Sequence, residues 1–286
     1  MPKRAPARLK LTARQADAGT ELARFIAVRG GVPEETARAA ILRGAAFLRG
    51  QRQRDPASVV GAGDGVEVDL REPAAAELGK ERILHLDELV VAVDKPAGVS
   101  AQEDRQGGPS LPDLCSDLIG GPALLVHRLD RGTTGVTILA RSKRAQAALL
   151  EEFRSRRPHK EYRALVSGQP RGEEGAIDSP IAGEPAATRW KVLERFPEAA
   201  LLAAFPATGR THQIRIHLRE LGCSLLGDSR HGGPLFVTRQ SGSRLDFGRP
   251  LLHALSLEIR RPQGGTLRLR AEMPDDFTAA LRFLRG

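Results

Sequence analysis

The sequence predicts an α+β protein. Segments with helical apolar spacing and short apolar, β-branched runs both occur along it, separated by turns bearing glycine and proline. Its 286 residues suffice for one large domain, or a large domain and a smaller one, with a core that needs no staples. The formal charge is +9, with 44 Lys and Arg against 35 Asp and Glu. That excess favours a polyanionic partner, nucleic acid before a membrane surface. Aromatic residues make up 4% of the chain, too few for a broad base-stacking platform. Cys115 and Cys223 stand far apart, so neither a disulfide framework nor a zinc knuckle is expected. The basic N-terminus lacks the apolar stretch of a signal peptide, and no run approaches a membrane span. The cytoplasm is the expected compartment, with no membrane partner.

Residues 1–14 are basic and read as a disordered tail able to touch phosphates. Residues 15–72 read as a small module. Leu22, Phe25 and Ile26 fall at helical spacing before Gly30-Gly31. A second helix is predicted from Pro33 to about Arg43, with Glu34 and Glu35 in its first turn. Ala46–Arg49, a Gly50 turn and a Val66–Leu70 strand complete the unit. Residues 73–82 form a polar, Ala/Pro-rich linker, followed at Asp104 by a Gly-rich segment beyond the first strands of the main domain, residues 83–286. That domain opens with Ile83–Leu86 and a strand over Leu89–Val93.

Between an apolar run at Ala123–Val126 and a β-branched one at Val136–Ala140 lies His127-Arg128-Leu129-Asp130-Arg131-Gly132-Thr133-Thr134-Gly135. Its carboxylate is flanked by arginines, and nearby positive charge favours the charged form of such a group. That suits a nucleophile or a base and not a proton donor, although an isolated R-x-D triplet is more often a plain ion pair in a turn. Ser142 caps a helix predicted through about Arg156, with Ala145, Leu149 and Phe153 on one face. In the strand that follows, Lys160, Tyr162, Ala164 and Val166 share a face. Tyr162 is the single tyrosine. A third block runs from Thr208 to Leu218. Thr211 is its expected helix cap and Gly222 its stop. His212 and His217 are five residues apart, which is not the one-face spacing of a metal pair on a helix. A strand pair about Gln263-Gly264-Gly265 and a helix over Asp275–Leu284 close the chain.

These blocks together resemble the RluA-type RNA pseudouridine synthases over about residues 85–286. The H-R-L-D-x-x-T-S-G signature is His127–Gly135, with Thr134 for serine and Gly132 where an acid is common. K-x-Y-x-A is Lys160, Tyr162 and Ala164. T-G-R-T-H-Q-I-R-x-H-L is Thr208–Leu218, and L-G-D-x-x-Y-G-G is Leu226–Gly233 with His231 for tyrosine. L-H-A is Leu252–Ala254. Residues 15–72 resemble the small RNA-binding module first described in a small-subunit ribosomal protein, through Arg43-Gly44, Arg49-Gly50 and Gly63–Val68. Their second helix is acidic where such modules are basic.

The resemblance implies a central mixed, largely antiparallel sheet with a cleft across it, and isomerisation of uridine to pseudouridine without metal or cofactor. It implies Asp130 as the catalytic carboxylate, either nucleophile or base. Arg215 is implied as its ion-pair partner, with Arg210 the alternative, and Tyr162 as the catalytic residue that stacks on the base and is a candidate to take the proton from C5. Arg128, Arg131, Lys160, Arg210 and His212 are the candidate RNA contacts. The expected partner is RNA, ribosomal before transfer RNA, and a monomer is expected because no apolar seam points to a second chain. A catalytically silent RNA-binding or ribosome-assembly factor on the same fold is the alternative. A hydrolase pairing Asp130 with His127 is weaker still.

Overall fold

The computed structural model describes residues 8–71, 77–103, 107–239 and 241–286. Much of the expected tail and linker, and the Gly-rich segment at Asp104, lies in part outside the described residues. The chain divides into two compact units, Met1–Glu77 with Gln102–Ser110, and Leu78–Ala101 with Leu111–Gly286.

The smaller unit comprises β1 (Arg8–Thr12), α1 (Leu22–Gly30), α2 (Glu34–Leu42), β2 (Ala46–Leu48), β3 (Gln51–Gln53) and β4 (Gly65–Asp69). Its antiparallel sheet has the order β1-β4-β2-β3. Residues 8–12, expected as part of a disordered tail, instead form a strand. Leu9 and Leu11 alternate onto the core while Arg8 and Lys10 reach Glu67 across the pair at 2.6 and 3.1 Å. α1 ends at Gly31, whose φ of 64° places it in the left-handed region that glycine tolerates. Leu22, Phe25 and Ile26 from α1 and Ile41 from α2 pack on Val66 and Val68.

The larger unit follows a 3-10 turn at Lys80–Arg82, which orders the end of the expected linker. Its elements are β5 (Ile83–Leu86), β6 (Val90–Lys95), α3 (Leu111–Ile119), β7 (Leu124–Leu125), β8 (Thr134–Ala140), α4 (Lys143–Arg154) and β9 (His159–Ser167). Then come β10 (Glu174–Ile177), β11 (Thr188–Phe196), β12 (Ala199–Pro206), α5 (Gln213–Glu220), β13 (Phe236–Thr238), β14 (Arg244–Asp246), β15 (Leu252–Arg260), β16 (Thr266–Arg270) and α6 (Asp275–Arg285). Among the described residues ten strands make one sheet, ordered β10-β11-β12-β9-β15-β8-β6-β5, with β16 on β15 and β7 on β8. Every pairing is antiparallel except β15 with β8, which meet in parallel at His253↔Thr134 and Ala254↔Gly135.

Side-chain alternation along the strands assigns the layers. Ala164, Val166, Leu202 and Ala204 face Ile214 and Leu218 of α5, whereas Leu165 and Leu201 face Phe277 and Leu281 of α6. α4 puts Ala145 and Leu149 against Val90 and Ile138. Ser142 caps α4 as its sequence position predicts, its Oγ accepting from the Ala145 N–H at 3.2 Å. β8 is buried along its whole length, as a covered central strand requires.

Candidate active site

The loop between β7 and β8 carries Asp130 to the wall of a cleft of about 550 Å³. The loop is fastened from three sides. The fully buried Lys95, at the end of β6, donates from Nζ to the carbonyls of Val99 (2.8 Å), Pro96 (3.1 Å) and Arg131 (3.4 Å). Burial pulls its amine down to about 7. Arg249 Nη1 donates to the Gly132 carbonyl at 3.1 Å, and Thr134 Oγ1 lies 2.9 Å from His253 Nδ1. His253 Nε2 faces the Ala271 carbonyl at 3.2 Å and must donate to it, so Nδ1 accepts from the threonine. At Gly132 a Cβ would stand 3.0 Å from Pro250 Cδ; Pro250 fills the space that a side chain would need.

Arg215, in the first turns of α5, meets Asp130 through Nη1 to Oδ2 at 2.9 Å. The same guanidinium is gripped by Asp228, Nε to Oδ2 and Nη2 to Oδ1, both at 2.7 Å. Asp228 is 1% exposed and Asp130 17% exposed. Burial opposes the charge on Asp228, but the two Arg215 bonds outweigh it and hold its carboxyl below the usual range. On Arg215 burial likewise opposes ionisation, and both carboxylates together raise its affinity for the proton. The sequence places Asp228 in the Leu226–Gly233 block without a role of its own: it stands thirteen positions from Arg215, and no local pattern joins them.

α5 does not start as its sequence predicts. The cap position is His212, with φ 58° and ψ 21°, and not Thr211. Gln213 does the anchoring. Its Oε1 accepts from Thr208 Oγ1 (2.6 Å) and the Arg210 N–H (3.0 Å), while Nε2 donates to the Ala187 carbonyl and Thr188 Oγ1 at 2.9 and 3.0 Å. His212 is thereby turned toward the cleft, Nε2 3.7 Å from Asp130 Oδ2 and Nδ1 2.8 Å from His231 Nε2. A carboxylate facing Nε2 favours a proton there, so His231 is the donor within the pair. Burial lowers the proton affinity of both rings.

Tyr162 sits mid-sheet on β9, between Ala204 and Ala254, and lines the cleft. Burial, with the nearby Asp130 charge, pushes its hydroxyl above the ordinary range. Arg128, Lys160, Arg210 and His212 line the same cleft, and Arg131 is not among its lining residues. Arg131 donates from Nε to the Gly98 carbonyl at 2.8 Å. Lys160 Nζ is held by the Thr208 carbonyl at 3.0 Å, and burial lowers its amine to about 8. Arg210 reaches Glu184 at 3.2 Å, so Arg215 is the partner of Asp130. His127 stacks on Phe153 with ring centroids 4.6 Å apart, and its Nε2 accepts from the Ile138 N–H at 3.1 Å. Burial drives its proton affinity down to about 3. That nitrogen is committed to the backbone and is no base for Asp130.

A family model described as RNA pseudouridylate synthase matches residues 89–220. An RNA pseudouridine synthase of Zymomonas mobilis is 34% identical over 219 residues, covering 69% of this chain and 96% of that protein. The chain belongs to the RluA-type RNA pseudouridine synthases. Ribosomal large subunit pseudouridine synthase D of Xanthomonas campestris is 32% identical over 276 residues, 86% of this chain and 82% of that one. Among solved structures, human RNA pseudouridylate synthase domain containing 4 superposes with a TM-score of 0.59 at 28% identity, over 72% of this chain and 93% of the other. The pseudouridine synthase fold expected from the resemblance is the one observed, and with the family comes the enzyme class.

Proposed function

We propose that this synthase isomerises uridine in large-subunit ribosomal RNA, with Asp130 as its catalytic carboxylate. The observation that carries the reading is the Asp130–Arg215–Asp228 triad at the cleft wall. One carboxylate immobilises the guanidinium, leaving its remaining edge to orient the carboxylate that faces the cleft. The reaction breaks the bond from the ribose to N1 and forms one to C5. The C5 proton departs and N1 gains one, so neither redox nor phosphoryl chemistry is called for. Asp130 acts as nucleophile at the ribose or as the base that takes a ribose proton. Tyr162 offers its ring to the extruded base, which must leave the stack for its glycosidic bond to be reached. Arg128 stands at the exposed rim, suited to the position the uridine vacates. Large-subunit ribosomal RNA is favoured because similar proteins from Xanthomonas campestris and Escherichia coli are named as ribosomal large subunit pseudouridine synthases. In this reading the N-terminal unit adds RNA contacts.

The test is single-nucleotide pseudouridine mapping of total RNA from cells with wild-type protein, Asp130→Asn protein or none. A site present with wild type alone is expected. Three identical maps, with no turnover of uridine-labelled RNA by the purified enzyme, would overturn the proposal and leave an RNA-binding factor.

A further inference from the structure

A second groove, of about 660 Å³, adjoins the cleft and shares Arg156, Lys160, Pro206 and Ala207 with it. Its origin is topological. β12 pairs with β9 as far as Ala204↔Tyr162, after which Phe205 and Pro206 pair only with β11. β9 meanwhile continues through Glu161, Lys160 and His159 against β15. The two strands part beside Tyr162, and the gap between them is the groove. Along it, the β12-facing edge of His159–Glu161 has no ladder partner among the described residues.

The walls suit a nucleic-acid strand. Arg189 lies over the Phe205 ring, its Cζ 5.8 Å from the centroid, and both line the groove. Neither Arg189 nor Arg156 has an ion-pair partner among the described residues. The groove's two glutamates are already neutralised, Glu258 by Arg268 at 3.0 Å and Glu161 by Arg163 at 2.5 Å. Arg156 occupies a left-handed backbone position that favours glycine. It follows α4 with φ 55°, in a closing turn where its N–H reaches the Phe153 carbonyl and the next N–H reaches Glu152. An exposed cation is thus held, against backbone preference, at the rim common to both cavities.

We propose that this groove binds the RNA segment adjoining the target uridine, one base lying on the Phe205–Arg189 face and a phosphate meeting Arg156. The inference rests on the reading that the uridine enters the neighbouring cleft. Continuity with that cleft, uncompensated arginines and an aromatic face select a single strand of RNA as the occupant.

The probe is an in vitro transcript of bacterial large-subunit ribosomal RNA, tritiated at uridine C5. Tritium release reports turnover and filter retention reports binding. Arg189→Glu and Phe205→Ala are expected to raise KM about tenfold while kcat stays within about twofold. Arg156→Gly is expected to weaken retention about tenfold with Tm unchanged or higher, because glycine suits that backbone. Turnover by all variants with KM and retention unmoved would overturn the groove and leave the activity standing. Absent turnover with retention still weakened by Arg156→Gly and Arg189→Glu would overturn the activity and leave the groove.

Discussion

The guanidinium of Arg215 serves two carboxylates unequally: two hydrogen bonds go to the buried Asp228, one to the more open Asp130. Losing one member of a buried ion pair leaves the other uncompensated, which costs about 3 kcal/mol or more. Asp228→Asn is therefore expected to lower stability by about that amount and to reduce kcat by more than tenfold, checked by urea unfolding and tritium release. Arg215→Lys should fare no better, because an ammonium cannot span both carboxylates in a fixed plane. His127 and His253 set the response to acid. Burial holds them at about 3 and about 4, against 6.5 for an ordinary histidine. Below pH 6.5 the unfolded chain binds protons that the folded chain refuses, so stability falls with falling pH, by up to about 1.4 kcal/mol per pH unit for each ring. The urea midpoint at pH 5 is expected below that at pH 7, and the His127→Asn, His253→Asn double variant is expected to flatten the difference. Equal midpoints for wild type would refute this account.

At the scale of elements, the parallel join of β8 to β15 leaves no room for a side chain at Gly135. Gly135 has φ 109°, and a Cβ there would stand 2.2 Å from the Ala254 carbonyl oxygen. Gly135→Ala must part the strands, and a loss of about 3 kcal/mol or more is expected in denaturant unfolding. Much of the larger unit is legible in the sequence because its signals are local: the Ser142 cap, the apolar run of β6, the alternation in β9 and the blocks around Asp130 and Arg215. β10, β11 and β12 have no comparable turn or cap signal, though Thr188–Phe196 alternates in burial over most of its length. β1 was hidden by its own charge, since Leu9 and Leu11 declare themselves only against β4, more than fifty residues later. The same limit conceals the pairing of Asp228 with Arg215 on α5, and the bond that Lys95 makes to the Arg131 carbonyl across 36 positions. Thr211 misled because a good cap residue was displaced by a stronger anchor, Gln213.

On the scale of the whole molecule, each compact unit has its own apolar core: among the described residues, one cluster in the smaller unit and three in the larger. Calorimetry is expected to resolve two transitions, with enthalpies of about 60 and about 140 kcal/mol from the usual per-residue value. A single transition carrying the whole enthalpy would contradict separate cores. The formal charge of +9 predicts RNA affinity that falls steeply with salt. The parallel join also governs the order in which the enzyme can come into being. Thr134, just past the Asp130 loop, waits for His253, which follows it by 119 positions. Arg249 is made only just before β15, so until then the loop has neither to hold it. A nascent chain therefore acquires its cleft only once β15 has been made, and fragments ending before Leu252 should carry Asp130, Tyr162 and Arg215 yet turn nothing over.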